Sequence, residues 1–200
     1  MTLTLVAPTS TRTDAELIAA CIAGDERAQR ELFRREYPRV NATVYRILGS
    51  TRDVDDLAQE AFIAVFRALS TFRGDSKLST WIDRIAVRVV FHHIRARKPT
   101  VSLDLLPEPA SGTDVEDQAH ARDGLRRLYA VLATMSPDAR AAFALYAIDG
   151  RSIAEVASIT ETSVVAAKVR IWRARREVTR QAAADPVLKE FIATHSEEAP

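Results

Sequence analysis

The sequence predicts an all-α protein of two small helical domains joined by a flexible acidic linker, and three observations carry that expectation. Apolar residues recur at helical spacing between the turns. Ser, Thr and Asp stand where helices would need N-caps. Charge divides the chain into blocks: residues 1–98 hold 16 basic and 12 acidic side chains, 99–120 none and 5, 121–180 11 and 6, and 181–200 1 and 4. Two basic blocks thus flank an acidic one. The 99–120 stretch also has three prolines and small polar residues, a composition that extends a chain instead of packing it. The expected organisation is a disordered tail at 1–13, a domain at 14–98, the linker at 99–120, a second domain at 121–180, and a tail at 181–200 whose Val187, Leu188, Phe191 and Ile192 allow a short helix.

In the first domain Thr13 and Glu16 form a capping box ahead of Leu17, Ile18, Cys21 and Ile22, and Gly24 ends that helix. Asp25 caps a second, which Ala28, Leu32, Phe33 and Tyr37 carry to Pro38. Val40, Val44, Ile47 and Leu48 then lead to Gly49. From Asp53 to Leu69, Val54, Leu57, Ala58, Ala61, Phe62, Val65 and Leu69 make an inner face, while Asp56, Glu60, Ile63 and Arg67 make an outer stripe. A Gly/Ser-containing loop over 72–80 precedes a helix at 81–98, capped by Ser79 or Thr80, with five basic residues and no acid between Arg84 and Lys98.

The second domain ends in the most informative stretch. Ser152 and Glu155 form another capping box, Thr160-Glu161-Thr162 interrupts, and Ser163 caps a helix whose Val164, Ala167, Ile171, Ala174 and Val178 share one face. The opposite face carries Val165, Lys168, Trp172 and Arg176. Six Lys/Arg against one acid between Ser163 and Arg180 suit the phosphate-lined major groove, in the helix-turn-helix manner.

Other chemistry finds little to stand on. The 200 residues are 47% hydrophobic, enough to bury a core. The single cysteine, Cys21, excludes an internal disulfide and a thiolate metal cluster, fits a reducing cytoplasm, and reads as a buried structural thiol. No apolar run approaches the roughly 20 residues of a membrane span, and residues 1–13 do not read as a signal peptide. Asp53, Asp55, Asp56 and Glu60 are explained by helix capping and solvation. His92 and His93 are neighbours, whereas a helical metal pair needs i,i+4 spacing, so they read as exposed or DNA-adjacent. No glycine-rich phosphate loop or nucleophile–base pair is present. A non-enzymatic protein with no catalytic residues, metal or cofactor is expected.

Residues 14 to 180 closely resemble the extracytoplasmic-function sigma factors of the sigma-70 family. The resemblance rests on GDERAQRELFRREYP at 24–38, DVDDLAQEAFIAVFRAL at 53–69 and FRGDSKLSTWIDRIA at 72–86. In the back half it rests on LATMSPDARAAFALYAIDGRSIAEVA at 132–157 and KVRIWRAR at 168–175. It implies a first domain of the region 2 type and a second of the region 4 type. Asp55, Asp56, Gln59, Glu60 and Ile63 would dock on the beta-prime clamp helices of core RNA polymerase, with the beta flap a further contact of the factor. Phe72, Lys77, Trp81, Arg84, Arg88 and Arg95 would engage and open a minus-10 element. Ser163, Val165, Lys168, Arg170, Trp172, Arg173 and Arg176 would read a minus-35 element. An anti-sigma factor is the further implied partner, and the alternative reading is a stand-alone helix-turn-helix regulator. The chain departs from the family pattern where relatives commonly have Asn at Arg88, Gly at Glu161, and Gly-Thr-Val at Val165, Ala166 and Ala167.

Overall fold

The structure is a computed structural model that describes residues 12–96 and 115–196. Nine α-helices occupy those residues: α1 (Asp14–Ile22), α2 (Glu26–Leu48), α3 (Val54–Ala68), α4 (Leu78–Ala96), α5 (Val115–Ala133), α6 (Pro137–Phe143), α7 (Ile153–Ile159), α8 (Val164–Ala182) and α9 (Pro186–Ser196). No strand is found among the described residues. The caps form as expected: Thr13 and Ser152 complete capping boxes with Glu16 and Glu155, Asp25 takes the backbone N–H groups of Arg27 and Ala28, and Ser163 takes that of Ala166. Those hydrogen bonds hold the Glu16 and Glu155 carboxyls below the ordinary glutamate range.

Three boundaries differ from expectation. Helix α2 runs unbroken through Pro38, although an interior proline disfavours a helix by about 3 kcal/mol. Ala28, Leu32, Val40, Val44 and Ile47, all without solvent exposure, form one face on both sides of the proline, and burying that face outweighs the local penalty. Helix α4 starts at Leu78, ahead of Ser79 and Thr80, because Leu78 is itself core at 2% exposed. Arg97 and Lys98 lie outside the described residues. Helix α5 starts at Val115, within the stretch read as linker; the rest of that stretch and residues 1–11 also lie outside.

Helices α1 to α4 form the first unit, with Leu17, Leu32, Val65 and Ile82 among its fully buried side chains. Cys21 is buried there as a free thiol, which burial pushes up from its ordinary pKa. Helices α5 to α9 form the second. The C-terminal helix α9 belongs to it, seating Leu188 at 1% exposed and laying Phe191 so close to Gly124 that a Cβ there would overlap the ring.

The two units meet along a continuous seam. One apolar cluster runs from the first unit through Ala141, Leu145, Val156, Ile159 and Ile171 of the second. Where α2 ends, its last carbonyls find donors across the seam: the Tyr129 hydroxyl donates to Arg46 O at 3.0 Å, and the Arg140 guanidinium donates from Nε to Ile47 O at 2.6 Å and from Nη2 to Leu48 O. A helix C-terminus leaves such carbonyls without intrahelical partners, and cations suit its negative end. Asp83, 1% exposed on α4, pairs with Arg39 of α2 and stands 3.7 Å from Arg151 of the second unit. Burial pushes its carboxyl up in pKa, against the pull of both arginines.

Candidate protein and nucleic-acid interfaces

On α3 the outer stripe stands clear of the core. Asp56, Gln59, Glu60 and Ile63 are exposed, Ile63 at 52%, because Leu57, Ala58, Ala61, Phe62 and Val65 take the inner face. Asp55 differs: its Oδ1 accepts from the Tyr37 hydroxyl at 2.9 Å and from Asn41 Nδ2 at 2.8 Å. It serves the α2–α3 contact, so the free part of the stripe is the other four residues. Asp53 diverges from the set, lying 3.6 Å from His93. His92 is exposed and His93 is not. Among the described residues no group of three or more His, Cys, Asp or Glu could hold a metal ion.

The six residues expected at a minus-10 element fall into two places. Phe72 and Trp81 meet edge to face, with centroids 5.5 Å apart and both half-buried, and Lys77 is exposed in the loop between them. Arg84, Arg88 and Arg95 lie farther along α4 and face the second unit. Arg84 donates to Ser158 from Nε to O at 2.9 Å and from Nη2 to Oγ at 2.7 Å. Arg88 pairs with Glu161 at 2.5 Å and Arg95 with Asp138 at 3.3 Å.

The Arg88–Glu161 pair joins two of the positions at which the chain departs from the pattern of its look-alikes. Glu161, in the turn between α7 and α8, has φ of 52° and is the one non-glycine residue with positive φ among the described residues. The turn keeps the left-handed shape that glycine adopts freely, at a cost of about 1 kcal/mol for a side chain with a Cβ. The pair is exposed at both ends, 68% and 52%, so it returns only about 0.5 kcal/mol. Glu161→Gly is therefore expected to leave stability within about 1 kcal/mol of the parent, since relief of strain offsets the lost pair and the freer unfolded chain. Denaturant unfolding checks this, and a loss beyond about 2 kcal/mol would show that the pair carries more than an exposed ion pair does.

On α8 the buried face is Ala167, Ile171, Ala174, Val178 and Ala182. Val164, expected with them, is 54% exposed, as its place in the first turn leaves it beyond the core. The opposite face presents Val165, Lys168, Val169, Trp172, Arg173 and Arg176, all exposed. Ser163 spends its Oγ acceptor on Ala166 N at 3.1 Å. Arg170 points elsewhere than the other basic residues expected at a minus-35 element: it is half-buried and 3.4 Å from Asp138 on α6. Arg175 is exposed and lies 5.8 Å over the Tyr146 ring, while Arg176 lies 5.4 Å over Trp172.

Tyr129, Arg140, Asp83 and Arg151, which tie the seam together, and Val169 were not among the residues expected to matter. The seam residues pair with partners more than forty positions away and leave no local pattern. Val169 was legible from spacing alone, four residues after Val165.

Comparison with known proteins agrees with this architecture. The sigma-70 region 2 family model matches residues 32–100, and that of sigma-70, region 4 matches residues 125–178. The RNA polymerase sigma-H factor of Pseudomonas aeruginosa is 31% identical over 189 residues, covering 88% of this chain and 96% of that relative. The ECF RNA polymerase sigma-E factor of Escherichia coli strain K12 is 33% identical over 177 residues, covering 83% and 92%. Among solved structures, CnrH in complex with the cytosolic domain of CnrY superposes with a TM-score of 0.61 at 29% identity, covering 84% of this chain and 96% of that one. The RpoE sigma factor of Bartonella quintana, solved with the anti-sigma factor NepR, shares the fold at a TM-score of 0.58 and 20% identity, covering 78% and 97%. With both regions matched in order, and with relatives above 30% identity spanning most of its length, the chain belongs to the extracytoplasmic-function sigma factors, the compact transcription-initiation branch of the sigma-70 family.

Proposed function

We propose that this chain binds bacterial core RNA polymerase and directs it to promoters through two separate DNA contacts. The observation that carries the reading is the division of exposed chemistry between the units. An acidic and apolar stripe on α3 is free of intramolecular work, and a basic face on α8 lies opposite its buried side. Asp56, Gln59, Glu60 and Ile63 suit a basic helical partner such as the beta-prime clamp helices, with Asp55 holding the α2–α3 geometry behind them. Phe72 and Trp81 are aromatic and Lys77 is an exposed cation beside them, while Arg84, Arg88 and Arg95 would reach phosphate on leaving Ser158, Glu161 and Asp138, the combination single-strand capture needs. Lys168, Arg173 and Arg176 suit duplex phosphates and base edges.

This role places the protein in the cytoplasm with the polymerase; no helix among the described residues is long and apolar enough to cross a membrane. The relative CnrH was solved with the cytosolic domain of a protein partner. A regulatory partner of the anti-sigma kind fits the present chain too, because the α3 stripe and the α8 face are exposed surfaces that such a partner could cover.

Run-off transcription from a set of genomic promoter fragments tests the proposal, with core polymerase supplied alone and with the purified protein. Transcripts that appear only with the protein are the expected result. Duplex binding without core binding or transcripts would instead favour a stand-alone helix-turn-helix regulator.

A further inference from the structure

The centre of α8's exposed basic face is largely apolar. At about 100° per residue, Val165, Val169, Trp172 and Arg176 fall along one column opposite Ala167 and Ala174, and the first three are apolar yet exposed at 73%, 39% and 58%. Lys168 and Arg173 flank the column, and no acid occurs between Ser163 and Arg176. The far end is closed by the Arg176 guanidinium over the Trp172 ring.

Exposed apolar side chains scattered singly need no explanation, but an aligned set with cations along its flanks does. Such a helix, laid in a major groove, directs its flanking cations to the phosphates on either side and its central line to the base edges, the N-terminal residues deepest. The feature of a base edge that an isopropyl group can read is the C5 methyl of thymine. Polar base edges facing valine would lose water without gaining a hydrogen bond.

Building on the promoter-binding reading above, we propose that Val165 and Val169 are specificity-determining residues that select thymine in the upstream element by packing on its methyl group. The four-residue separation of these valines spans roughly 6 Å along the helix axis, so the thymines they select lie within about two base-pair steps of one another. Lys168, between them on the adjacent flank, anchors the register from the phosphate side or a neighbouring base.

The test uses the full chain assembled on bacterial core RNA polymerase. Upstream duplex is selected from a randomised library by the assembled complex, and each thymine in the selected sequence is then replaced singly by deoxyuridine, which removes only the methyl. One or two of these replacements are expected to weaken binding about fourfold each, the equivalent of ~0.8 kcal/mol per buried methyl. Val165→Ala and Val169→Ala should each abolish the sensitivity at one position. Their binding to core, measured by pull-down, and the salt slope of DNA binding set by Lys168, Arg173 and Arg176 should be unchanged.

Selected sites without thymine, uniform indifference to deoxyuridine, or sensitivity that survives both valine substitutions would overturn the proposal while leaving the promoter-binding role intact. Failure of the parent chain to bind core would remove the promoter-binding role, and the thymine proposal with it.

Discussion

Replacing Gly49 by alanine is expected to destabilise the protein by about 3 kcal/mol, made up of about 1 for backbone strain and about 2 for overlap. Gly49 closes α2 in the left-handed region at φ of 64°, and a Cβ there would lie within the ring of Tyr129. Tyr129 has little room to retreat: it is 6% exposed, and its hydroxyl is bound to Arg46 O. For a chain of this size the loss corresponds to a fall of roughly 10 °C in thermal midpoint.

A double-mutant cycle separates the two contributions. In a Tyr129→Ala background the overlap is gone, so Gly49→Ala should cost only the strain, about 1 kcal/mol, and the difference is the coupling across the seam. Equal costs in both backgrounds would mean that the units do not meet at this point in solution. Scattering measurements give an independent readout, because forcing the ring from its seat should enlarge the particle.

The second large effect is functional. Asp56→Lys combined with Glu60→Lys should remove transcription while lowering stability by no more than about 1 kcal/mol, the cost of reversing one charge in the first turn of α3. Two acids become two bases on a surface proposed to meet a basic helix. Like-charge juxtaposition at an interface costs several kcal/mol, so affinity for core should fall by at least roughly a hundredfold. Asp55→Lys is the informative contrast. It takes the acceptor from the Tyr37 hydroxyl and Asn41 Nδ2, so it should lower stability as well as activity. Normal transcription by the Asp56/Glu60 variant would move the polymerase contact off α3.

The sequence made legible whatever depends on neighbours in the chain. Thr13, Asp25, Ser152 and Ser163 act as caps because capping is a transaction among four consecutive residues. The two faces of α3 and α8 followed from spacing. What it did not reveal is decided at long range. Pro38 marks a break by local rules, yet helix α2 continues because its buried face, Ala28 and Leu32 before the proline and Val40, Val44 and Ile47 after it, is packed on both sides. Arg170 looks from its composition like the basic residues around it, yet it lies about 100° around α8 beyond Val169, at the edge of the buried face, and its partner there, Asp138 on α6, is what the sequence could not supply. The seam was hidden for the same reason: Tyr129 and Arg140 find their carbonyls 83 and 93 positions back along the chain, and no periodicity records such a pairing.

Arg84, Arg88 and Arg95 carry one more implication. None of these guanidiniums is idle: Ser158, Glu161 and Asp138 occupy them from the second unit. On the proposed promoter-binding reading, a phosphate arriving at α4 would compete with acceptors that are tethered to the same molecule and never diffuse away, an internal rival whose effective concentration is fixed by the fold. Measured affinity for the proposed downstream element would then report a product, the intrinsic affinity multiplied by the fraction of molecules whose seam is open. Anything that holds the units apart would raise that affinity without touching DNA.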